Sequence, residues 1–315
     1  MSEVRPVLVS VPEEAYAAGL ADVEGVEPVV WDVRGPHERG AELRLVVPPY
    51  MGAPPPRERL DELPGLEVVQ LLTAGYETVL DRVPQQVTLC NGAGIHDAST
   101  AELALALILA SCRDLPEHVR AQSRATWAAP RVSGALADSR VLVVGYGRIG
   151  RAIVRRLLPF EVEVTVVASR SRGGDELVDL VHGIEELPSL AAATDVLVVI
   201  VPLTEATRGL VDASLLARLP DGALVVNVAR GPVVDTDALV AECGSGRLRA
   251  ALDVTDPEPL PRDHPLWTIP GVLITPHVGG ATTAMAPRAV ALLRRQVEAL
   301  RDGRPLDNVV KPAVH

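Results

Sequence analysis

One glycine-rich segment constrains the fold of this 315-residue chain more than any other feature. Val141-Leu142-Val143-Val144 runs directly into Gly145-Tyr146-Gly147-Arg148-Ile149-Gly150, and a segment with apolar residues on one helical side follows. Glycines at this spacing allow a tight turn, close approach of the backbone to a pyrophosphate and tight packing of helix on strand. The spacing alone also fits an ordinary glycine-rich turn. A strand before it and a helix after it favour a dinucleotide-binding unit, whose helix N-terminus offers free N–H groups to the phosphates.

Short apolar segments separated by helical segments recur along the chain. They are Val7–Ser10, Leu43–Val47, Leu66–Leu71, Val87–Cys90, Val141–Val144, Val162–Val167, Val196–Val201, Leu224–Asn227 and Ala250–Leu252. Continuous apolar strands alternating with helices are typical of parallel sheets covered on both faces. The sequence therefore predicts an α/β protein with two doubly wound domains.

Two helices mark the predicted domain boundaries. Ser99 and Glu102 have the spacing of a capping box, which predicts a long helix starting at Ser99. A second helix, from about Thr283 to Leu300, is predicted to cross back onto the first domain. The predicted domains are residues 1–95 with 284–315, and residues 96–283.

The segment after the second strand of the nucleotide-binding unit bears on the choice of cofactor. An acidic residue is usual there, about 20 positions after the glycine segment, where it binds the adenosine ribose and repels a 2′-phosphate. Here Ala168 stands in that place, and Ser169, Arg170, Ser171 and Arg172 follow it. Arginines and hydroxyls suit a dianionic phosphate, so NADP(H) is favoured and NAD(H) stays possible. The alternative is a solvated basic turn that lacks the acid.

Composition excludes several other classes of protein. Apolar residues make up 48% and charged residues 23% of the chain, which fits a globular enzyme and not a disordered protein. A net charge of −11 without a run of Lys or Arg argues against nucleic acid as a partner. Cys90, Cys112 and Cys243 lack the spacing of a disulfide framework or metal site, so no metal and a reducing cytoplasm are expected. With no signal peptide and no apolar stretch of about 20 residues, we expect no membrane association.

Polar residues follow the late strands in three motifs. These are Val226-Asn227-Val228-Ala229-Arg230-Gly231, Asp253-Val254-Thr255-Asp256-Pro257-Glu258-Pro259 and Thr275-Pro276-His277-Val278-Gly279-Gly280. They resemble, in the same order, the catalytic signatures of the D-isomer-specific 2-hydroxyacid dehydrogenases, which include phosphoglycerate, glyoxylate/hydroxypyruvate, D-lactate and formate dehydrogenases. The resemblance extends over essentially the whole chain, from the Thr73-Ala74-Gly75-Tyr76 loop to the C-terminal helix. It implies a Rossmann-type nucleotide-binding domain, a smaller flavodoxin-like substrate domain, a deep cleft between them and a homodimer.

The resemblance also implies a role for each of the three polar residues. Arg230 binds the substrate carboxylate and polarises its carbonyl, a task for which a planar, permanently charged fork is suited. His277 donates a proton to the carbonyl oxygen as hydride arrives from the nicotinamide. Glu258 orients that imidazole and favours its charged form. The expected reaction is reduction of a small 2-oxo acid to the D-2-hydroxy acid.

The remaining site residues are implied by the same resemblance. The backbone of Ala74 and Gly75 is expected to bind the substrate carboxylate, and Asp253 to accept from the nicotinamide carboxamide. The pyrophosphate is expected at the backbone of Arg148 and Ile149. Further cofactor contacts are expected from Gly145, Gly147, Gly150, Val201, Pro202, Thr207, Val228, Ala229, His277 and Gly279.

Some residues have more than one interpretation or no assigned chemical role, and two alternative functions stay open. The family often has an aromatic residue where Thr255 stands and a histidine where Leu103 stands, which bears on substrate choice and not on catalysis. Trp127 and Trp267 could line a substrate pocket, or pack in the core or an interface. His96, His118, His182 and His264 are interpreted as structural. Alternatives to the reductase are a dehydrogenase of the same family acting on another substrate such as phosphite, and a nucleotide-sensing protein resembling the family's corepressors.

Overall fold

The computed structural model describes residues 6–50 and 52–314. Within them the chain forms two compact units: the first ends at His96 and resumes at Thr283, and the second is Asp97–Thr282. Each unit is built on a sheet whose strands are almost all parallel. The predicted α/β class with two doubly wound sheets is confirmed. The first five residues, which enter the expectation of no signal peptide, lie outside the described residues.

Strands and helices alternate through most of the chain. The strands are β1 (Val7–Val11), β2 (Val26–Val30), β3 (Leu43–Val46), β4 (Val68–Gln70), β5 (Thr88–Cys90), β6 (Arg140–Val144), β7 (Glu163–Ala168), β8 (Arg172–Gly173), β9 (Leu180–Gly183), β10 (Val196–Val199), β11 (Leu224–Asn227), β12 (Arg249–Leu252), β13 (Val272–Ile274) and β14 (Val309–Lys311). The α-helices are α1 (Glu14–Leu20), α2 (Arg57–Asp61), α3 (Asp97–Cys112), α4 (Leu115–Ser123), α5 (Arg148–Leu157), α6 (Leu187–Ala191), α7 (Ala213–Leu216), α8 (Thr236–Gly244) and α9 (Met285–Asp302).

The first unit contains a sheet of order β2-β1-β3-β4-β5-β14, in which only β14 is antiparallel to its neighbour. The order β2-β1-β3-β4-β5 is that of flavodoxin-like sheets. Helix α9 packs beside α1, and Arg294 donates to the Gly19 carbonyl at 2.9 Å. Gln70 on β4 and Gln296 on α9 are fully buried and share a hydrogen bond of 2.5 Å, which joins helix to sheet.

The second unit contains a sheet of order β8-β9-β7-β6-β10-β11-β12-β13. Six of its parallel strands, β9-β7-β6-β10-β11-β12, follow the 3-2-1-4-5-6 order of dinucleotide-binding sheets. Strand β6 is apolar throughout its buried part because both faces are covered. Val141 and Val143 pack in one core with Ile153 of α5, whereas Leu142 and Val144 belong to the core on the other face.

Some predicted elements differ from the structure. The helix predicted to start at Ser99 begins at Asp97, so the predicted capping box of Ser99 and Glu102 is wrong. Ser99 lies inside the first turn of the helix, and its hydroxyl is 2.6 Å from the hydroxyl of Thr282. The sequence also missed β2. Among the described residues it is an edge strand that pairs on one side only, which is why Pro28 is tolerated there. In the described parts of the chain, no helix is both long and apolar enough to cross a membrane.

Candidate active site

The three predicted catalytic residues follow three neighbouring strands. Strands β11, β12 and β13 are adjacent and parallel, so their carboxyl ends lie along one edge of the sheet. Arg230 comes three residues after β11, Glu258 six residues after β12 and His277 three residues after β13. Ligands of doubly wound sheets bind beyond this edge.

Glu258 and His277 are in direct contact. Nδ1 of His277 lies 2.5 Å from Oε1 of Glu258. Because a carboxylate can only accept, Nδ1–H donates this bond, and Nε2 is the nitrogen left to face a substrate. The two side chains are 43% and 40% exposed. The pair is therefore ordered by its own hydrogen bond and still reachable from solvent.

Asp253 fixes the backbone of the segment that carries His277. Its buried carboxylate accepts from the Thr275 hydroxyl at 2.6 Å and from the amides of Val278 and Gly279, each at 2.9 Å. The Asp253 carbonyl accepts from the His277 amide at 2.8 Å. His277 itself has a φ of +53°, a left-handed conformation that is uncommon outside glycine. The surrounding bonds hold the imidazole on this unusual backbone.

Arg230 lies on a loop that touches the segment after β12. Its carbonyl accepts from Asn227 at 3.0 Å, and its Nη1 donates to the Ala229 carbonyl at 2.7 Å. A Cβ at Gly231 would collide with the carbonyl of Thr255. Only glycine allows the two loops to approach this closely.

The glycine-rich segment has the shape that a dinucleotide requires. Gly145 has a φ of +113°, and a Cβ there would collide with the carbonyl of Ile200. A Cβ at Gly150 would collide with the carbonyl of Gly145. At Gly147, by contrast, a Cβ would have no atom within 4 Å. Helix α5 begins at Arg148 with no side-chain cap, so its first N–H groups border this open space and fit a pyrophosphate.

The predicted 2′-phosphate residues lie on an exposed turn. Ala168 is the last residue of β7, and Ser169, Arg170 and Arg172 after it are exposed. Among the described residues, the side chains of Ser169 and Arg170 have no hydrogen-bonding or ionic partner. Nη2 of Arg172 donates to the Tyr146 carbonyl at 3.1 Å, which places this guanidinium against the glycine-rich segment.

The other predicted cofactor residues lie at the same edge of the sheet. Val201 and Pro202 follow β10, and the Thr207 hydroxyl donates to the Pro202 carbonyl at 2.6 Å, closing that loop. Val228 and Ala229 follow β11 and are buried; the Ala229 amide donates to the Asn227 side chain at 3.0 Å. These two residues can border a cofactor only through a small part of their surface.

Ala74 and Gly75 belong to the first unit, in the loop after β4. The Ala74 carbonyl accepts from Asn91 at 2.7 Å, and the Gly75 carbonyl accepts from the Thr73 hydroxyl at 2.7 Å. In the described part of the chain, the amides of Ala74 and Gly75 have no acceptor. A loop with fixed carbonyls and free amides is suited to binding a carboxylate.

Residues without an assigned chemistry have ordinary surroundings. His96 is hydrogen-bonded to the Leu72 carbonyl and stacks on Tyr50. His182 is paired with Glu186, and His264 accepts from the Leu266 amide. His118 is exposed. The Trp267 indole donates to the Pro261 carbonyl at 2.8 Å. The side chain of Trp127 is 95% exposed, so its interpretation as a core residue is wrong.

Comparison with known proteins decides the family. The sequence profile described as D-isomer specific 2-hydroxyacid dehydrogenase, NAD binding domain, matches residues 105–279. A glyoxylate reductase/hydroxypyruvate reductase of Homo sapiens is 34% identical over 253 residues, which cover 78% of this chain and 77% of that protein. This chain belongs to the D-isomer-specific 2-hydroxyacid dehydrogenases. The predicted family is confirmed, and with it the predicted class of NAD(P)-dependent oxidoreductase.

Solved structures of this family share the fold of the dehydrogenase over nearly its whole length. A D-isomer specific 2-hydroxyacid dehydrogenase from Xanthobacter autotrophicus Py2, in complex with NADPH and MES, has a TM-score of 0.83 at 31% identity and 98% coverage of both chains. An NADPH-dependent glyoxylate/hydroxypyruvate reductase from Sinorhizobium meliloti, in complex with NADP and malonate, has a TM-score of 0.80 at 26% identity and 99% coverage of both chains.

Sequence reasoning missed a cluster of polar side chains beside the glycine-rich segment of the dehydrogenase. The hydroxyl of Tyr146, inside the glycine-rich segment, donates to the carboxylate of Asp175 at 2.8 Å. Arg151 of α5 is ion-paired with the same carboxylate. Gly173-Gly174-Asp175 is a turn signal, but a pattern of turn residues does not reveal which distant side chain the turn will meet.

Proposed function

We propose that the protein reduces glyoxylate, hydroxypyruvate or a similar small 2-oxo acid to the D-2-hydroxy acid, with NADPH as the preferred reductant. The observation that carries the proposal is the hydrogen bond between His277 and Glu258 at the carboxyl edge of a dinucleotide-binding sheet. The human relative and the Sinorhizobium structure, both named as reductases of glyoxylate and hydroxypyruvate, support the substrate class. With one Phe and four Tyr in the whole chain, few rings are available to enclose a bulky substrate, which also favours a small acid.

Proton transfer is assigned to His277. NADPH, when bound, would supply the hydride that the carbonyl carbon accepts, and the carbonyl oxygen would then need a proton. His277 donates a proton to that oxygen from Nε2, because its Nδ1–H is held by Glu258. Glu258 keeps the ring oriented and stabilises its positive charge before the transfer. In the oxidative direction the same nitrogen accepts the proton.

Binding of the substrate carboxylate is assigned to the guanidinium of Arg230 and to backbone amides. Arg230 offers a planar fork of N–H groups, of which Nη1 also bonds the Ala229 carbonyl and so fixes the direction of the guanidinium. The free amides of Ala74 and Gly75 are proposed to bind the same type of group. On this view the first unit, predicted as residues 1–95 with 284–315, is a substrate domain, and the second, predicted as residues 96–283, binds the dinucleotide.

The preference for NADPH is assigned to the turn after β7. Ala168 leaves the adenosine ribose without the usual acidic acceptor, so nothing at that position repels a 2′-phosphate. Ser169, Arg170 and Arg172 are exposed there and supply hydroxyl and guanidinium donors. NADPH and NADP in the two structural relatives are consistent with this assignment.

We also propose that the enzyme is a homodimer. The stretch of chain after α4, residues 124–135, carries Trp127 at 95% and Val132 at 101% exposure, and Leu115 and Val119 of α4 are exposed as well. Large apolar side chains left exposed are characteristic of association surfaces when they lie together. A second copy of the chain is the partner that a symmetric enzyme of this kind would use.

The test of function is a panel of 2-oxo acids assayed with NADPH and with NADH. We expect glyoxylate or hydroxypyruvate to be reduced, with a higher kcat/KM for NADPH, and we expect D-hydroxy acids to support the reverse reaction. His277→Ala should lower kcat by roughly 10²- to 10³-fold, as loss of a transition-state donor does, while NADPH still binds.

His118→Gln is the matched control, because His118 is an exposed histidine remote in sequence from the three motifs. It should retain the wild-type rate. A rate in His277→Ala close to wild type would contradict the assigned proton donor, and oxidation of phosphite without turnover of any hydroxy acid would contradict the substrate class.

A further inference from the structure

A β-hairpin follows the turn to which the 2′-phosphate is assigned. Strands β8 and β9 pair antiparallel, with Arg172 opposite Val181 and Gly173 opposite Leu180. At its tip the Gly174 amide donates to the Asp179 carbonyl at 3.0 Å, and the Asp175 amide to the Val178 carbonyl at 2.8 Å. Arg172 is therefore part of an ordered hairpin and not of a free loop.

Asp175 joins the tip of this hairpin to the glycine-rich segment. Its Oδ1 accepts from the Leu177 amide at 2.9 Å, which closes the turn. The Tyr146 hydroxyl donates its one hydrogen to the carboxylate, with its oxygen 2.8 and 3.1 Å from Oδ1 and Oδ2, and Arg151 pairs with the same group. Tyr146 is buried, with 4% exposure. The hydroxyl side of this bond is therefore shielded from water, while the Asp175 side chain keeps 20% exposure.

The protonation states of both groups keep this bond in place near neutral pH. Burial, followed by the hydrogen bond to Asp175, raises the pKa of Tyr146 to about 12. The Leu177 amide in the first place, and then the Tyr146 hydroxyl and Arg151, lower the pKa of Asp175 below its usual range. Near neutral pH Tyr146 therefore stays a donor and Asp175 an acceptor.

Tyr146 contacts the hairpin at both of its ends. Its hydroxyl bonds Asp175 at the tip, and its backbone carbonyl accepts from Nη2 of Arg172 at the base. That bond uses one of the five N–H donors of the guanidinium, and the remaining donors can bind a phosphate. A guanidinium held in place before binding loses less conformational entropy when the phosphate arrives.

We propose that Tyr146 and Asp175 are positioning residues for cofactor selection: their hydrogen bond holds the hairpin against the glycine-rich segment so that Arg172 is preset for the 2′-phosphate. This inference rests on the proposed preference for NADPH. In this role both residues act on the 2′-phosphate through Arg172. NADH, which lacks the 2′-phosphate, gains nothing from a preset Arg172.

The test measures dissociation constants of NADPH and NADH for wild type and Tyr146→Phe. Phenylalanine keeps the buried ring and removes only the hydroxyl. We expect NADPH to bind about tenfold more weakly, equivalent to about 1.4 kcal/mol, and NADH to change by less than about twofold. Asp179→Asn is the matched control: Asp179 is an exposed carboxylate on the same hairpin, and in the described structure its side chain bonds neither Tyr146 nor an arginine of α5, so both affinities should stay near wild type.

A double-mutant cycle tests whether the two residues act as one unit. Asp175→Ala should weaken NADPH selectively, and adding Tyr146→Phe to it should cause no further loss, because the hydroxyl has already lost its acceptor. Additive losses, or equal losses for both cofactors, would overturn the proposal. A wild-type enzyme without preference for NADPH would defeat the proposed cofactor and the positioning role together, whereas a preference that survives in Tyr146→Phe would defeat the positioning role alone.

Discussion

At the scale of single residues, Asp253 illustrates how a buried carboxylate can hold a catalytic candidate in an unfavourable conformation. Asparagine at this position offers one acceptor oxygen and turns an NH₂ group toward donors that now bond the carboxylate. Each donor left without a partner costs about 1–3 kcal/mol. Asp253→Asn should therefore lower the melting temperature by several degrees and reduce kcat, as measured by calorimetry and by steady-state kinetics.

Thr275→Val tests the hydroxyl bond to Asp253 by itself. It removes that bond and leaves the bonds from the Val278 and Gly279 amides to the Asp253 carboxylate intact. It should lower the melting temperature less and keep most of the activity. An Asp253→Asn enzyme with wild-type stability and rate would show that the carboxylate does not hold the His277 segment.

The catalytic candidates could be named from the sequence, but several of their contacts could not. Arg230, Glu258 and His277 stand in motifs that follow apolar strands, and short-range patterns are enough to place them at a sheet edge. The bond between Tyr146 and Asp175 joins residues 29 positions apart through a hairpin, and no periodicity of the sequence encodes it. The left-handed backbone of His277 depends likewise on Asp253, which is 24 positions earlier.

At the scale of elements, the turn from β6 into α5 contains two glycines that are required for different reasons, one for folding and one for cofactor binding. Gly150→Ala would place a Cβ against the Gly145 carbonyl, so the turn must distort and the second unit should melt at a lower temperature. Gly147→Ala meets open space, at a φ of −92° that alanine adopts freely. It should fold with wild-type stability and lose affinity for NADPH, since its methyl group occupies space needed by the pyrophosphate.

Thermal melting and NADPH titration of the two variants test whether Gly150 is needed for stability and Gly147 for cofactor binding. The expected result is a stability defect in Gly150→Ala and a binding defect with normal stability in Gly147→Ala. Equal NADPH affinity in Gly147→Ala and wild type would mean that the dinucleotide does not pass over this glycine.

Elements with strong local patterns were the predictable ones. The central strands β6, β10 and β11 are continuous apolar runs because both faces of the sheet are covered, and this is visible in the sequence. Strand β2 contains Pro28 and is mostly half-buried, so it resembles a loop until its pairing with β1 is known. The start of α3 was misplaced because Ser99 and Glu102 match a capping pattern by chance, while Asp97, which bonds Arg148, is the first helical residue.

At the scale of the whole molecule, the exposed apolar side chains between Leu115 and Val132 predict a dimer. The free monomer would leave Trp127 and Val132 almost entirely in water, and burying such side chains is worth about 1.5–3 kcal/mol each. Light scattering after gel filtration at micromolar concentration should therefore give twice the mass of the chain. Val132→Asp should shift the enzyme toward the monomer, because a symmetric interface would bury two new carboxylates at once.

Val314→Asp provides the control, since Val314 is also an exposed apolar residue, at 66%, but lies near the end of the chain and far from this stretch in sequence. Its mass should remain that of the wild type. A wild-type chain that stays monomeric, or a Val132→Asp variant that stays dimeric, would place any contact between copies elsewhere. Measuring the NADPH affinity of the monomeric variant then separates assembly from cofactor binding, because the glycine-rich segment and the turn after β7 lie within one chain and should bind equally well in the monomer.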